Sequence, residues 1–204
     1  NSKSLKKYEL RVSKKNIFEH YPIGEEGEDI AFSQVNNDVN KALVETCTQL
    51  VADKKPDFIT ELYAGAGNFT FSLLKAMPNL KVESAEMNAK LTKHATEEMK
   101  LLNLQKRPFI FTADCESYTK RRTLSSECII LDPPRAGCSD IVLNKISSVS
   151  PRNLLYISCH PVFLARDLQK ILQLNPNYKI EHLQIFDMFP QTDHFETLAF
   201  LTLQ

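Results

Sequence analysis

Phe58-Ile59-Thr60-Glu61-Leu62-Tyr63-Ala64-Gly65-Ala66-Gly67-Asn68-Phe69 is the stretch that decides the fold. A strand-like run ends in two glycines one residue apart, and a helical run opens directly after them. Glycines let the backbone turn sharply and approach a ligand closely, beside the positive N-terminus of a helix. A nicotinamide-type fingerprint wants a third glycine at position 70, where this chain has Thr70. The turn therefore reads as a nucleoside site that frames no pyrophosphate.

Outward from that turn the pattern alternates. Strand-like runs are predicted at Phe58–Tyr63, Leu80–Ala85, Pro108–Thr112, Cys128–Leu131, Asn153–Ser158, Lys179–Met188 and Phe195–Leu203. Helices are predicted between them near 68–77, 88–102, 115–122, 139–148 and 161–174. Leu91, Ala95, Met99 and Leu102 recur at the three-to-four spacing of one helical face. Such alternation predicts an α/β domain with a parallel sheet and crossover helices. Phe189–His194 is too short for a crossover, so the last two strands are expected to pair antiparallel. Ahead of the block, Val39, Ala42, Leu43, Cys47, Leu50 and Val51 mark a further helix packed on the sheet. A seven-stranded, mostly parallel sheet ending in an antiparallel hairpin, with helices on both faces, is the layout of Rossmann-like methyltransferases.

Length and composition bound the possibilities. At 204 residues the chain fits one domain with a proper core. No apolar run approaches the roughly 18 residues that span a bilayer, and no secretory signal is visible. Five cysteines (47, 115, 128, 138 and 159) are odd in number and lack paired metal spacings. Free thiols in a reducing, cytoplasmic setting and no metal are the expectation. Lys3, Lys6, Lys7, Arg11, Lys14 and Lys15, then Lys120, Arg121 and Arg122, form basic clusters within a chain of zero net charge. A broad nucleic-acid grip usually needs a basic excess, so much of any such grip is expected outside these residues. Residues 1–30 are read as an N-terminal segment, as the remnant of a preceding domain would be, and 31–204 as the catalytic domain. Oligomeric state is not legible.

Further carboxylates sit where a nucleoside needs them. Glu86 ends the second strand, 19 residues beyond Gly67, and can accept both hydroxyls of a ribose. Asp114, after the third strand, is placed either to meet an adenine amino group or to cap the next helix. S-adenosyl-L-methionine fits this set better than a dinucleotide.

Asp132-Pro133-Pro134-Arg135 makes a stiff loop at the carboxyl edge of the sheet, where ligands bind in open α/β folds. Arg135 suits a phosphate, a carboxylate, a developing enolate or a structural ion pair. Cys159, in Ser158-Cys159-His160-Pro161, sits where a strand gives way to a helix, whose dipole can favour a thiolate. Carbon 5 of uracil is a poor nucleophile. A thiolate adding at C6 makes C5 enolate-like, and a base must afterwards remove the C5 proton. Cys159 and Glu196 are the candidate nucleophile and base. His160 and His194, flanking them, are read as orienting their loops by hydrogen bonds.

Phe32-Ser33-Gln34-Val35-Asn36, Tyr63–Phe69, Asp132–Gly137, Ser158–Pro161 and His194-Phe195-Glu196-Thr197 stand in family order. From about residue 30 to its end the chain resembles the catalytic domain of the RNA (uracil-5-)-methyltransferases that make 5-methyluridine in tRNA and rRNA. The resemblance implies S-adenosyl-L-methionine as cofactor and structured RNA as partner. It implies that Cys159 is the nucleophile and Glu196 the base. Gln34, Tyr63, Asn68, Glu86, Asp114 and Asp132 correspond to cofactor positions beside Gly65 and Gly67, with Asp132 also near the target base. Arg135 matches the family's arginine, placed with Asp132 among the catalytic candidates. The family often has asparagine where this chain has His160. Its members usually carry an N-terminal RNA-binding domain, sometimes with an iron–sulfur cysteine cluster, and this sequence shows neither. Amino-group methylation through the D-P-P loop, and a catalytically idle cofactor- or RNA-binding module, are the competing readings.

Overall fold

The computed structural model describes residues 36–104, 108–188, 191–192 and 195–204; residues 1–30, Gln34 and His194 lie outside them. Helix α1 (Asn37–Lys54) starts where the Asn36 side chain accepts the Val39 N–H at 3.2 Å. It stops where Lys55 turns left-handed. There follow β1 (Phe58–Leu62), α2 (Asn68–Ala76), β2 (Lys81–Glu86), α3 (Ala89–Leu101), β3 (Pro108–Thr112) and α4 (Cys115–Arg121). The chain continues through β4 (Cys128–Leu131), α5 (Asp140–Val149), β5 (Asn153–Ser158), α6 (Pro161–Leu174), β6 (Tyr178–Phe186) and β7 (Glu196–Leu203). Every predicted element exists, with its ends within two residues of expectation. The first strand stops at Leu62 rather than Tyr63, because Tyr63 adopts φ 63°, outside the extended region.

The sheet order is β3-β2-β1-β4-β5-β7-β6. Neighbours among β1 to β5 pair parallel, while β7 pairs antiparallel with both β5 and β6. The short link predicted this reversal. Strand order changes direction between β1 and β4, so a crevice opens at their carboxyl ends, the place where open α/β sheets bind ligands.

Side chains alternate across the pleat with period two. Ile130, Leu155, Ile157, Leu198 and Phe200 pack with α1 and α2 on one face. Ile129, Leu131, Leu154, Tyr156, Ala199 and Leu201 pack with α4, α5 and α6 on the other. Continuing that parity past the strand ends places Glu61, Asp132, Cys159 and Glu196 all on the α1–α2 face. Among the described residues no helix is long and apolar enough to cross a membrane.

Candidate active site

The glycine turn is held from below by two carboxylates. Glu86 accepts the Gly65 N–H at 3.0 Å with one oxygen and the Asn88 N–H at 2.7 Å with the other. Each of its oxygens keeps a second lone pair, so the carboxylate is aimed by the backbone and still able to accept hydroxyls. Glu61, wholly buried, accepts a short hydrogen bond from Thr70, whose hydroxyl also pairs with Ser84 at 2.8 Å. The other oxygen of Glu61 has no hydrogen-bond partner among the described residues. Burial pushes this carboxyl up to about 7, and the Thr70 bonds offset only part of the rise.

Gly67 has φ 93°, and a Cβ there would come within 2.6 Å of the Phe71 ring. Its need is thus for close packing as well as for the turn. A Cβ on Gly65 would meet nothing within 4 Å, which leaves open space beside the backbone. Asn68 opens α2 and exchanges amide hydrogen bonds with Asn40 of α1, at 3.0 and 3.3 Å. Half-buried Tyr63 directs its hydroxyl at the Cys138 thiol. Asp114 caps α4 by accepting the Ser117 N–H at 2.9 Å, and that bond holds its carboxyl below the usual range. Of the two roles open to it in the sequence, the cap is the one the structure displays.

Beyond β4 the loop from Asp132 to Cys138 is pinned by α6. Cys138 N–H donates to Asp167 at 2.8 Å, and Arg166 donates to the carbonyls of Ala136 at 3.0 Å and Cys138 at 3.2 Å. Asp132 is half-buried and Arg135 exposed. The Asp132 carboxyl is pushed well above its ordinary value by burial, then by the charges of Glu196 and Glu61. Three carboxylates sharing one low-dielectric corner do not all ionise together.

The β5–β7 pairing ends at Ser158 and Thr197, and Cys159 and Glu196 each lie one residue beyond that last pair. Cys159 is half-buried and Glu196 is 6% exposed. Burial, Glu196 and Asp132 raise the Cys159 thiol, in that order, while a backbone hydrogen bond and then Arg135 lower it. The sequence allowed a thiolate favoured by the helix behind it; here burial and the carboxylates outweigh the backbone hydrogen bond and Arg135. His160 caps α6 without a side-chain bond. Its ring sits 4.9 Å from Phe163, and its Nδ1 is buried with no partner among the described residues. The hydrogen bond that fixes this turn comes from the His160 backbone N–H to Ser158 Oγ, at 3.1 Å. Ring contact and backbone, rather than imidazole hydrogen bonds, orient the loop.

Asp132, Arg135, Cys159 and Glu196 therefore share one electrostatic group at the carboxyl ends of β4 and β5 and the amino end of β7. Tyr63, Gly65, Gly67, Asn68 and Glu86 form a second group around β1 and β2, with Asp114 at the end of β3. Glu61 was missed in the sequence, although a carboxylate at an inward position of an apolar strand was the available signal. Asp167 was missed too; it interrupts the apolar stripe Leu164, Leu168 and Ile171. Among the described residues no cluster of three or more potential metal-ligating side chains occurs. The orphaned Glu61 oxygen, the anchored Glu86 carboxylate and the open space at Gly65 fit a cationic ligand carrying a ribose.

The profile of the tRNA (uracil-5-)-methyltransferase family matches residues 4–204. An uncharacterized RNA methyltransferase of Bdellovibrio bacteriovorus is 37% identical over 204 residues, covering 98% of this chain and 51% of that protein. A 23S rRNA (uracil(1939)-C(5))-methyltransferase of Psychromonas ingrahamii is 37% identical over 175 residues, 84% of this chain and 38% of that one. Among solved structures, the Pyrococcus abyssi tRNA (uracil-54, C5)-methyltransferase in complex with S-adenosyl-L-homocysteine superposes with a TM-score of 0.71 at 26% identity. That match covers 84% of this chain and 40% of the archaeal one. The chain thus spans about half or less of the length of each relative.

Proposed function

The chain belongs to the tRNA (uracil-5-)-methyltransferase family, and we propose that it methylates carbon 5 of a uridine in structured RNA, tRNA or rRNA, through a covalent Cys159 adduct. The observation that supports this reading is the β5–β7 register, whose last pair, Ser158 and Thr197, is next in sequence to a half-buried thiol and a buried carboxylate. Neither amino-group methylation nor an idle module has a use for that thiol and carboxylate.

S-adenosyl-L-methionine, when bound, supplies an electrophilic methyl on a sulfonium. Glu86 would hold its ribose, with Tyr63, Gly65, Gly67 and Asn68 around the turn and Asp114 toward the adenine; Gln34, outside the described residues, remains a cofactor candidate by sequence alone. The Glu61 and Asp132 carboxyls place negative or neutral oxygen, rather than cationic groups, under that ligand.

Cys159 forms its S–C bond at C6 of the uracil, and the C5=C6 π pair moves onto the O4 carbonyl as an enolate. Asp132, whose carboxyl is raised by burial and by Glu196 and Glu61, lies on the side of the sheet where that charge develops. Arg135 adds a positive charge nearby. After C5 has gained its methyl, Glu196 removes the C5 proton, the C5=C6 double bond re-forms and the Cys159 thiolate leaves. A uridine within a folded loop has to leave its stack to reach this corner. The free thiols suit a reducing, cytoplasmic setting.

Glu196→Gln tests the assignment. Methylated RNA should remain bound to the protein through Cys159 in denaturing gels. Release of 5-methyluridine RNA by this variant at the wild-type rate refutes the role of Glu196.

A further inference from the structure

Asp167 of α6 is wholly buried, and its partners come from β5, from the end of the loop after β4 and from α6 itself. Its Oδ2 accepts the Tyr156 hydroxyl at 2.5 Å and the Cys138 N–H at 2.8 Å. Its Oδ1 accepts Arg166 Nε at 2.7 Å and lies 2.6 Å from Arg166 Nη2 as an ion pair. A carboxylate offers about four lone-pair sites, so these hydrogen bonds and the ion pair engage both of its oxygens. Arg166 spends its remaining capacity on the carbonyls of Ala136 and Cys138. The loop is pressed onto this pair: Gly137 has φ 77°, and a Cβ there would fall 2.6 Å from Asp167 Oδ2 and 2.8 Å from Arg166 Nη2.

One carboxylate therefore joins three things. Tyr156 lies on β5, three residues before Cys159. Arg166 and Asp167 belong to the helix that Cys159 precedes. Ala136 to Cys138 end the loop that carries Asp132 and Arg135. We propose that the Asp167–Arg166 pair is a positioning device that sets the Asp132–Arg135 loop at a fixed distance from Cys159, so that the thiol and the loop meet the same base. A fold that needed only stability at this place could fill it with apolar side chains, which often do as well as a buried ion pair. The ion pair and its fork of donors specify instead where the backbone of 136–138 lies. Displacement of a reacting group by about 1 Å can lower a rate about 10²-fold.

The inference rests on the proposed Cys159 chemistry, and the test separates the two. Adduct formation on 5-fluorouridine-substituted tRNA and rRNA transcripts is followed with S-adenosyl-L-methionine present; amplitude counts competent sites and rate reports positioning. Arg166 is half-exposed, so Arg166→Ala should fold, with Asp167→Asn and Tyr156→Phe alongside. The expected result for Arg166→Ala is a rate per competent site at least tenfold lower, partly restored in Arg166→Lys. Amide exchange should quicken at residues 136–138 while β5 stays protected, and S-adenosyl-L-homocysteine affinity should change less than twofold. Lower amplitude or melting temperature with an unchanged rate per site would overturn the positioning role and leave a structural one. Absence of an adduct in the wild-type protein would sink the Cys159 reading, and this inference with it.

Discussion

Glu61→Gln should reshape the pH dependence of stability. Glu61 is wholly buried, and its carboxyl lies at about 7 in the folded chain against 4.5 ordinarily. At about 1.4 kcal/mol per unit, that displacement corresponds to about 3 kcal/mol. A raised carboxyl binds its proton more tightly folded than unfolded. Its contribution is therefore complete below about pH 4.5 and is lost as the pH climbs to about 7. Glutamine copies the protonated form: its oxygen can still accept from Thr70, and its amide occupies the place of the orphaned oxygen. Urea unfolding at intervals from pH 5 to 8 measures the effect. The variant should gain on the wild type steadily across this range, by up to about 3 kcal/mol at pH 8. Two parallel stability curves, separated by a constant, would refute the reasoning, because they would mean that Glu61 titrates alike folded and unfolded.

Other outcomes follow from the same geometry. Glu86→Ala removes the acceptor of the Gly65 and Asn88 amides, and should weaken S-adenosyl-L-homocysteine binding at least tenfold by calorimetry, taking about 1.5–3 kcal/mol per bond to a charged acceptor; unchanged affinity would remove Glu86 from the site. Gly67→Ala should lower unfolding stability by about 1–3 kcal/mol, since it combines a left-handed backbone with a Cβ 2.6 Å from Phe71. Denaturant midpoints equal to the wild type would contradict that. Because the Cys159 thiol is raised, the thiolate is the minor form at neutral pH, and single-turnover adduct formation should quicken about tenfold per pH unit on the alkaline side. Arg135→Gln should slow it further by removing the charge that lowers the thiol; a flat profile between pH 6 and 9 would speak against a titrating nucleophile.

The sheet was legible because its central strands are buried on both faces and its strands are bounded by turn residues. Cys128–Leu131 and Asn153–Ser158 are continuous buried runs, and Phe189–His194 left no room for a crossover. The placement of β7 between β5 and β6 was not legible, since a short link fixes the antiparallel sense and not the partner on the far side. The candidate residues stood out where chemistry and strand ends coincide, as at Glu86, Asp132 and Cys159. Glu61 and Asp167 escaped because single buried acids look like ordinary charges until their partners come from 9 to 29 residues away. The environment of Cys159 was only partly legible for a related reason. The helix behind it is local in sequence, whereas Glu196 and Asp132 reach it only through the sheet.

Intact-mass analysis of the protein after incubation with S-adenosyl-L-methionine and 5-fluorouridine-substituted RNA tests the covalent chemistry most directly. Fluorine at C5 cannot leave as a proton, so Glu196 has nothing to remove and the adduct is trapped. The predicted result is a denaturation-resistant species carrying the methylated RNA on Cys159, and none in Cys159→Ala. Methyl transfer to RNA without any such species, or an adduct that survives in Cys159→Ala, would contradict it.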